Sequence, residues 1–135
     1  MAVTTNADEF VERMQIRAEQ IRRNAERTVR ATALAIDAAV VTASPVDTGR
    51  FRANWLPSVG VERFDVVDVG HAEDTSGAIA GYQIGDVIYL QNNLPYARRL
   101  NQGHSAQAPA AFVERAVRAG EQVVRQSRLF DDGGA

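Results

Sequence analysis

The feature that most constrains the fold is an apolar repeat between residues 6 and 43. Apolar or small side chains recur at steps of four, four and three residues, which is close to the 3.6-residue period of a straight α-helix. Asn6 and Glu9 have the spacing of a capping box at its start, and Pro45 cannot continue it. We therefore predict one helix over residues 6–43, roughly 55 Å long, in a domain expected to be about 30 Å across. The repeat consists of Phe10, Met14, Ala18, Ile21, Ala25, Val29, Thr32, Ile36, Val40 and Ala43.

The two halves of this predicted helix differ in charge. Up to Arg30, a narrow apolar stripe is backed by charged residues, and Glu→Arg pairs stand four residues apart in the order that supports a helix. Between Ala31 and Ala43 the only charged residue is Asp37. A helix that is apolar on every side is buried on every side. We expect the second half to lie in the core and the first half to project, with its stripe covered by this chain or by another subunit.

The middle of the chain predicts a small sheet. Apolar positions partly alternate between Ala53 and Val69, which indicates a strand or a hairpin. Residues 86–93 give the clearest strand pattern, with β-branched and aromatic side chains before a pair of asparagines. Between them, we expect a polar loop at 70–78 and a short helical turn that ends before Gly85.

A second helix is expected near the end of the chain, after an irregular segment at 95–103. Pro109 suits the first turn of a helix over 108–128, which has one apolar face and one face rich in arginine. The prediction is a single α+β domain over residues 1–135: a long N-terminal helix, strands and loops over 44–104 that form a small, mainly antiparallel sheet, and a C-terminal helix packed on the sheet.

Composition narrows the function without identifying it. The chain of 135 residues fits one domain, and the absence of cysteine excludes disulfides and thiolate metal sites. A net charge of -2 gives no overall attraction to nucleic acid. We find no bilayer-length apolar run and no leader pattern, so we expect a soluble, cytoplasmic product. All fifteen basic residues are arginine, which fits a GC-rich genome or planar bidentate contacts at interfaces.

The residues that could carry chemistry do not form a known pattern. His104, Ser105 and Asp47 could be combined as a catalytic triad, but no nucleophile-elbow motif supports them. A divalent metal is conceivable at a cluster of acids and a histidine, whose spacing matches neither an EF-hand loop nor a zinc motif. No glycine-rich phosphate loop is present. We expect no catalysis, no cofactor and no metal. The conceivable metal cluster is Asp65, Asp68, His71, Glu73 and Asp74.

Charge is instead segregated along the sequence. Residues 61–93 hold six acids and one arginine, a net -5, whereas residues 94–130 hold six arginines and two acids, a net +4. In a ring of identical subunits, the acidic surface of one subunit can face the basic surface of the next.

Two stretches resemble a known family. "SPVDTGRFRANW" (44–55) and "NNLPYARRLNQGHSAQAPAAFVERAV" (92–117) are similar to the tail-completion, or neck, proteins of long-tailed bacteriophages, the lambda Z-like minor tail proteins. The matching elements are Pro45–Gly49, Trp55, Asn92–Ala97 and Gly103–Pro109. The chain departs from the family pattern in two places: Asn101 stands where relatives often have an acid, and Ala111 where they often have glycine.

This resemblance implies a non-enzymatic structural protein at the head–tail junction of a phage, prophage or gene-transfer particle, assembled in the bacterial cytoplasm. It implies a ring of copies, expected to be hexameric, between the tail terminator or tail tube protein and the head-side connector or stopper. Double-stranded DNA would pass through the ring without specific binding, and no membrane is involved. We expect interface residues at Asp47, Thr48, Gly49, Arg50, Arg52, Trp55, Tyr96, Arg98, Arg99, His104, Gln107 and Pro109.

An acidic lumen would favour DNA sliding by repulsion. We therefore expect acids to face the channel. Three alternatives stay open: the tail terminator of the same neck, a small DNA-binding protein that uses the C-terminal arginines, and a hydrolase. The acids expected in the channel are Glu62, Asp65, Asp68, Glu73 and Asp74.

Overall fold

The computed structural model describes residues 6–46, 49–103 and 110–129. It has a long N-terminal helix, a two-stranded antiparallel sheet and a C-terminal helix, which confirms the α+β class, with helix predominating. The elements are α1 (Asn6–Ala43), α2 (Arg50–Ala53), β1 (Leu56–Val59), α3 (Thr75–Ile79), β2 (Ile88–Gln91), α4 (Ala97–Asn101) and α5 (Phe112–Arg125).

Helix α5 lies antiparallel along the second half of α1. Val40 shares the core with the first turn of α5. Farther along, Gly120 is buried against Ile36, so closely that a Cβ atom at Gly120 would lie 2.6 Å from Cγ1 of Ile36. At the far end, the side-chain amide of Asn24 donates to the backbone carbonyl of Leu129 at 3.1 Å. The main partner of α5 is therefore α1 rather than the sheet that the sequence pattern suggested.

The aromatic centre of the core is Phe51, in the short helix α2. Its ring meets the rings of Trp55 and Phe112 edge to face, with centroids 5.8 Å and 6.1 Å away. Both geometries are favourable for aromatic pairs. Val40 and Leu94 complete this buried cluster. The core thus joins α1, α2 and α5 at the end of α1 where Pro45 stops the helix.

The sheet is smaller than the sequence suggested. Strand β1 pairs with β2 from Leu56 opposite Gln91 to Val59 opposite Ile88, and Gly60 then turns the chain with a φ of 81°. The alternating residues 61–69 form no strand. Alternation in the sequence does not by itself supply a partner strand, and in the described chain these residues join no sheet.

Three further differences concern helices. Residues 95–103, expected to be irregular, include the short helix α4. Helix α5 begins at Phe112, after a turn at Ala111, so it is shorter than the predicted range 108–128. In the second half of α1, Leu34 is partly exposed, because α5 and the sheet region do not surround this part of the helix completely.

Candidate functional site

Residues 44–55, which follow α1, close the end of that helix. The guanidinium of Arg52 donates to the carbonyl oxygens of Thr42 and Ser44, at 2.8 Å and 3.0 Å. These are carbonyls that the end of a helix leaves without intrahelical partners. The indole N–H of Trp55 donates to the hydroxyl of Ser44 at 2.8 Å, and the indole is 8% exposed. Arg52 and Trp55, expected at an interface, therefore make their described contacts within the chain.

Other expected interface residues lie nearer the surface. Gly49 has a φ of 75° immediately before α2, a conformation that glycine adopts without strain. Tyr96 is partly exposed and rests on Phe51, with ring centroids 6.1 Å apart. Among the arginines expected at an interface, Arg50, Arg98 and Arg99 are exposed. Asp47, Thr48, His104, Gln107 and Pro109 lie outside the described residues, as does Ser105 of the conceivable triad.

Asparagine side chains hold this region together, a role that the sequence analysis did not identify. Asn54 is fully buried, and its amide donates to the Val67 carbonyl and accepts from the Val67 N–H, at 3.0 Å and 2.8 Å. Asn92 donates to the carbonyl of Phe51. Asn93 donates to two carbonyls of the segment after β1. The Asn-Asn pair at the end of β2 was a visible signal, but its partners are remote in sequence.

We name residues 61–74 the acidic segment. It holds the five acids expected to face a channel, and the structure gives them different surroundings. Glu62 and Asp68 are exposed. Asp65 and Glu73 both accept from Arg63, at 2.6 Å and 2.8 Å, and Glu73 also contacts the His71 ring. Asp74 accepts from the Gly77 N–H and so caps α3.

These pairs change the electrostatics of the acidic segment. The hydrogen bond from Arg63 lowers the pKa of Asp65, and Asp65 and Glu73 together raise the pKa of Arg63. The segment still presents apolar side chains to solvent, with Phe64 77% exposed and Val61 similarly exposed. It is therefore a largely exposed segment with both charged and apolar side chains available for contact.

The first part of α1 is the second exposed apolar feature. Residues 6–23 precede Asn24, whose side chain contacts the backbone of Leu129 just after α5, and they span roughly 27 Å at 1.5 Å per residue. We name Phe10 and Met14 the projecting stripe; they are 56% and 54% exposed. Helical spacing places this stripe on the same face of α1 that packs against α5 farther along. Among the described residues, the face therefore continues beyond the contact between Asn24 and Leu129.

The projecting part of α1 is supported by ion pairs along its own surface. Arg22 pairs with both Glu19 and Glu26, and Arg23 also reaches Glu19. The hydrogen bond from Arg22 lowers the pKa of the Glu19 carboxyl to about 2. Pairs at three and four residues each add a few tenths of a kcal/mol to a helix. They favour a helical conformation in and just after the part of α1 that precedes Asn24.

In ranges 6–46, 49–103 and 110–129, no group of three or more histidine, aspartate or glutamate side chains is placed to hold a metal ion. Within the same part of the chain, no helix combines the length and the apolar character needed to cross a membrane. No protein-family model, curated protein or solved structure matches the chain.

Proposed function

We propose that the chain is a structural protein of the head–tail junction of a long-tailed phage or a related particle, where it acts as a tail-completion protein. The sequence resemblance over residues 44–55 and 92–117 suggests this role. The observation that best supports an assembly function is the projecting stripe, because a soluble monomer gains nothing from extending an apolar helix face beyond its own core.

In the proposed assembly, the projecting stripe is covered by a neighbouring copy of the same chain. The charge distribution favours such a head-to-tail contact, since the acidic segment is negative and the exposed side of α5 carries Arg115, Arg118 and Arg125. Two complementary surfaces on each subunit generate a closed ring when the rotations from one subunit to the next add up to a full turn. Electrostatic complementarity of this kind fixes orientation more than it adds affinity.

Within such a ring, the exposed acids Glu62 and Asp68 are the best candidates to face the DNA channel. Carboxylates repel the phosphates of DNA. A channel that must release DNA should not neutralise those phosphates, because their neutralisation is what binds DNA to a protein. The other three acids of the segment already have partners. Asp65 pairs with Arg63, Glu73 contacts His71, and Asp74 caps α3. We therefore narrow the channel-facing set to these two residues within the proposal.

Deletion of the gene in the particle-producing host tests the function. Electron micrographs of the lysate should show DNA-filled heads and finished tails that lie apart, and purified protein added back should join them. Joined, infectious particles in the deletion strain would refute the proposal. A tail terminator would instead bind purified tail tubes directly, and a DNA-binding protein would bind duplex DNA with strong salt dependence.

A pair of variants tests the stripe itself in the same add-back assay. Phe10→Glu combined with Met14→Glu should leave the helical circular dichroism unchanged and abolish joining. Ile16→Glu is the matched control, because Ile16 is 63% exposed on a different side of the same helix. If both proteins join heads to tails equally well, the stripe is not an assembly surface.

A further inference from the structure

A groove of about 440 Å³ lies between the middle of α1 and the region of β2. Its wall is largely apolar, with Val29 and Ile36 contributed by α1 and with Val87 and Leu90 contributed by residues in and just before β2. Val87 is 54% exposed, so the groove opens to solvent. Its volume is in the range of sites that bury the apolar groups of another molecule. We name it the α1–β2 groove.

One charged side chain lines the described wall of the α1–β2 groove. Asp86 accepts a hydrogen bond from the Gln83 N–H and has no ion-pair partner among the described residues. Arg30 and Glu26 lie outside the wall and hold the backbone before β2, Arg30 by donating to a carbonyl and Glu26 by accepting from an N–H. Their charges are opposite, so neither sign dominates behind the wall. The groove therefore combines an apolar surface with one carboxylate that no described cation pairs with.

The projecting stripe has the complementary features. Phe10 and Met14 stand one turn apart on α1, which is the spacing of anchors that enter a groove from one face of a helix. Both are more than half exposed. Arg13 stands on the same side of the helix, three residues after Phe10, and is also exposed. An apolar pair beside a cation thus matches an apolar wall beside a carboxylate.

The stripe of one copy cannot reach the α1–β2 groove of that same copy. Met14 and Val29 belong to one continuous helix, and at 1.5 Å per residue they stand roughly 22 Å apart along its axis. A continuous helix cannot fold one of its segments onto another. Stripe and groove can therefore meet only when they belong to two molecules, and every copy of this chain offers both surfaces.

We propose that the α1–β2 groove of one copy receives the projecting stripe of a second copy, with Arg13 of the incoming helix facing Asp86. This inference rests on the assembly role proposed above, and it adds the surface that covers the stripe. The contact joins two different surfaces of the chain, so it is a head-to-tail contact that can repeat around a ring.

Sedimentation of the full chain at increasing concentration measures the self-association that this contact implies. Val87→Glu places a charge in the groove, and Phe10→Glu combined with Met14→Glu removes the stripe. Each of these proteins should associate at least about tenfold more weakly than the unchanged chain. Val46→Glu is the matched control, because Val46 is 51% exposed outside the groove, and it should change the association less than about twofold. An unchanged chain that stays monomeric up to its solubility limit, or equal losses in Val87→Glu and Val46→Glu, would overturn the proposal.

A mixture of two variants tests the pairing of stripe with groove directly. Val87→Glu keeps an intact stripe, and the variant with Phe10→Glu and Met14→Glu keeps an intact groove, so the mixture can form one contact per pair of chains. We expect a one-to-one complex in the mixture and monomers in each separate solution at the same concentration, with helical circular dichroism unchanged in both proteins. If the stripe instead packs on another stripe, the mixture will associate no better than the separate variants, and the proposal is overturned.

A double-mutant cycle tests the charge pair. Asp86→Asn keeps an oxygen that can accept from the Gln83 N–H, and Arg13→Gln keeps a polar side chain. Each single variant should weaken the association by up to about fivefold, the range of an exposed ion pair. The double variant should associate no more weakly than the weaker of the two single variants. Losses that add fully would show that Arg13 and Asp86 do not meet and would contradict the proposed contact.

The failure of this inference and the failure of the neck function are visible separately. Joined particles in the deletion strain would refute the neck function without changing the sedimentation of the mixed variants. A mixture that does not associate, together with separate heads and tails in the deletion strain, would refute the α1–β2 groove as the cover of the stripe and leave the neck function standing.

Discussion

The indole nitrogen of Trp55 lies 2.8 Å from the hydroxyl oxygen of Ser44, and both side chains are buried. The same hydroxyl donates to the carbonyl of Val40. One serine therefore joins the last turn of α1 to the residue that precedes β1. This link explains why the chain's only tryptophan follows the helix stop so closely.

Ser44→Ala should lower the free energy of unfolding by about 1–3 kcal/mol, because it leaves the indole N–H buried without a partner. Denaturant unfolding followed by tryptophan fluorescence measures this change. Ser58→Ala is the matched control, since the buried Ser58 hydroxyl has no hydrogen-bond partner in the described ranges. Its loss should be clearly smaller, and equal losses would show that the Ser44 bond contributes nothing.

Gly120→Ala should destabilise the contact between the two long helices. The added methyl would lie 2.6 Å from Cγ1 and 2.7 Å from Cδ1 of Ile36. Overpacking costs about 1–3 kcal/mol and outweighs the gain of up to about 1 kcal/mol that alanine brings to a helix. Thermal unfolding of a double-mutant cycle with Ile36→Ala checks the cause. In the Ile36→Ala background the glycine substitution should be neutral or stabilising, and an undiminished loss would exclude this clash.

Ala111→Gly should stabilise the start of α5. Ala111 has a φ of 58°, the left-handed region that costs a residue with a Cβ about 1–2 kcal/mol. Glycine removes that cost but loses more chain entropy on folding, so we expect a net gain of about 0.5–1 kcal/mol. Urea unfolding measures the gain. Ala119→Gly, within α5, should show a loss of about 1 kcal/mol, and a loss at both positions would contradict the strained turn.

Asp37→Asn should raise the free energy of unfolding at pH 7. The pKa of Asp37 in the folded chain lies above its ordinary value of 3.8, so the folded state holds this proton at a higher pH than the unfolded state. The ionised carboxylate therefore costs stability at neutral pH, and the cost disappears as the pH falls through the folded pKa. The difference in the free energy of unfolding between the variant and the unchanged chain should shrink as denaturation is measured at lower pH, down to about pH 4. An advantage that is independent of pH would exclude this cause, and the exposed Asp68→Asn should show none.

The sequence predicted the elements whose signals are local. The steps of four, four and three residues from Phe10 to Ala43 identify α1, and α1 spans Asn6–Ala43 in the structure. The strand pattern at 86–93 contains β2 at Ile88–Gln91. Both signals arise from side-chain periodicity within one element, which the helix or strand itself imposes.

Contacts between remote segments were not predictable in the same way. Asn54 is a turn-forming residue in sequence terms, yet in the fold it is fully buried against the backbone of Val67. Asp37 is the only charged residue between Ala31 and Ala43, but nothing in the sequence indicates its contact with Thr75. These pairs depend on where the acidic segment lies, and alternation alone does not determine its partner.

The most direct test of an assembly role is quantitative mass spectrometry of purified particles from the organism that carries the gene. We expect the chain in intact particles at a fixed copy number, equal to that of the single hexameric ring implied by the resemblance. Absence of the chain from infectious particles, with all of it recovered as a free monomer, would contradict the account.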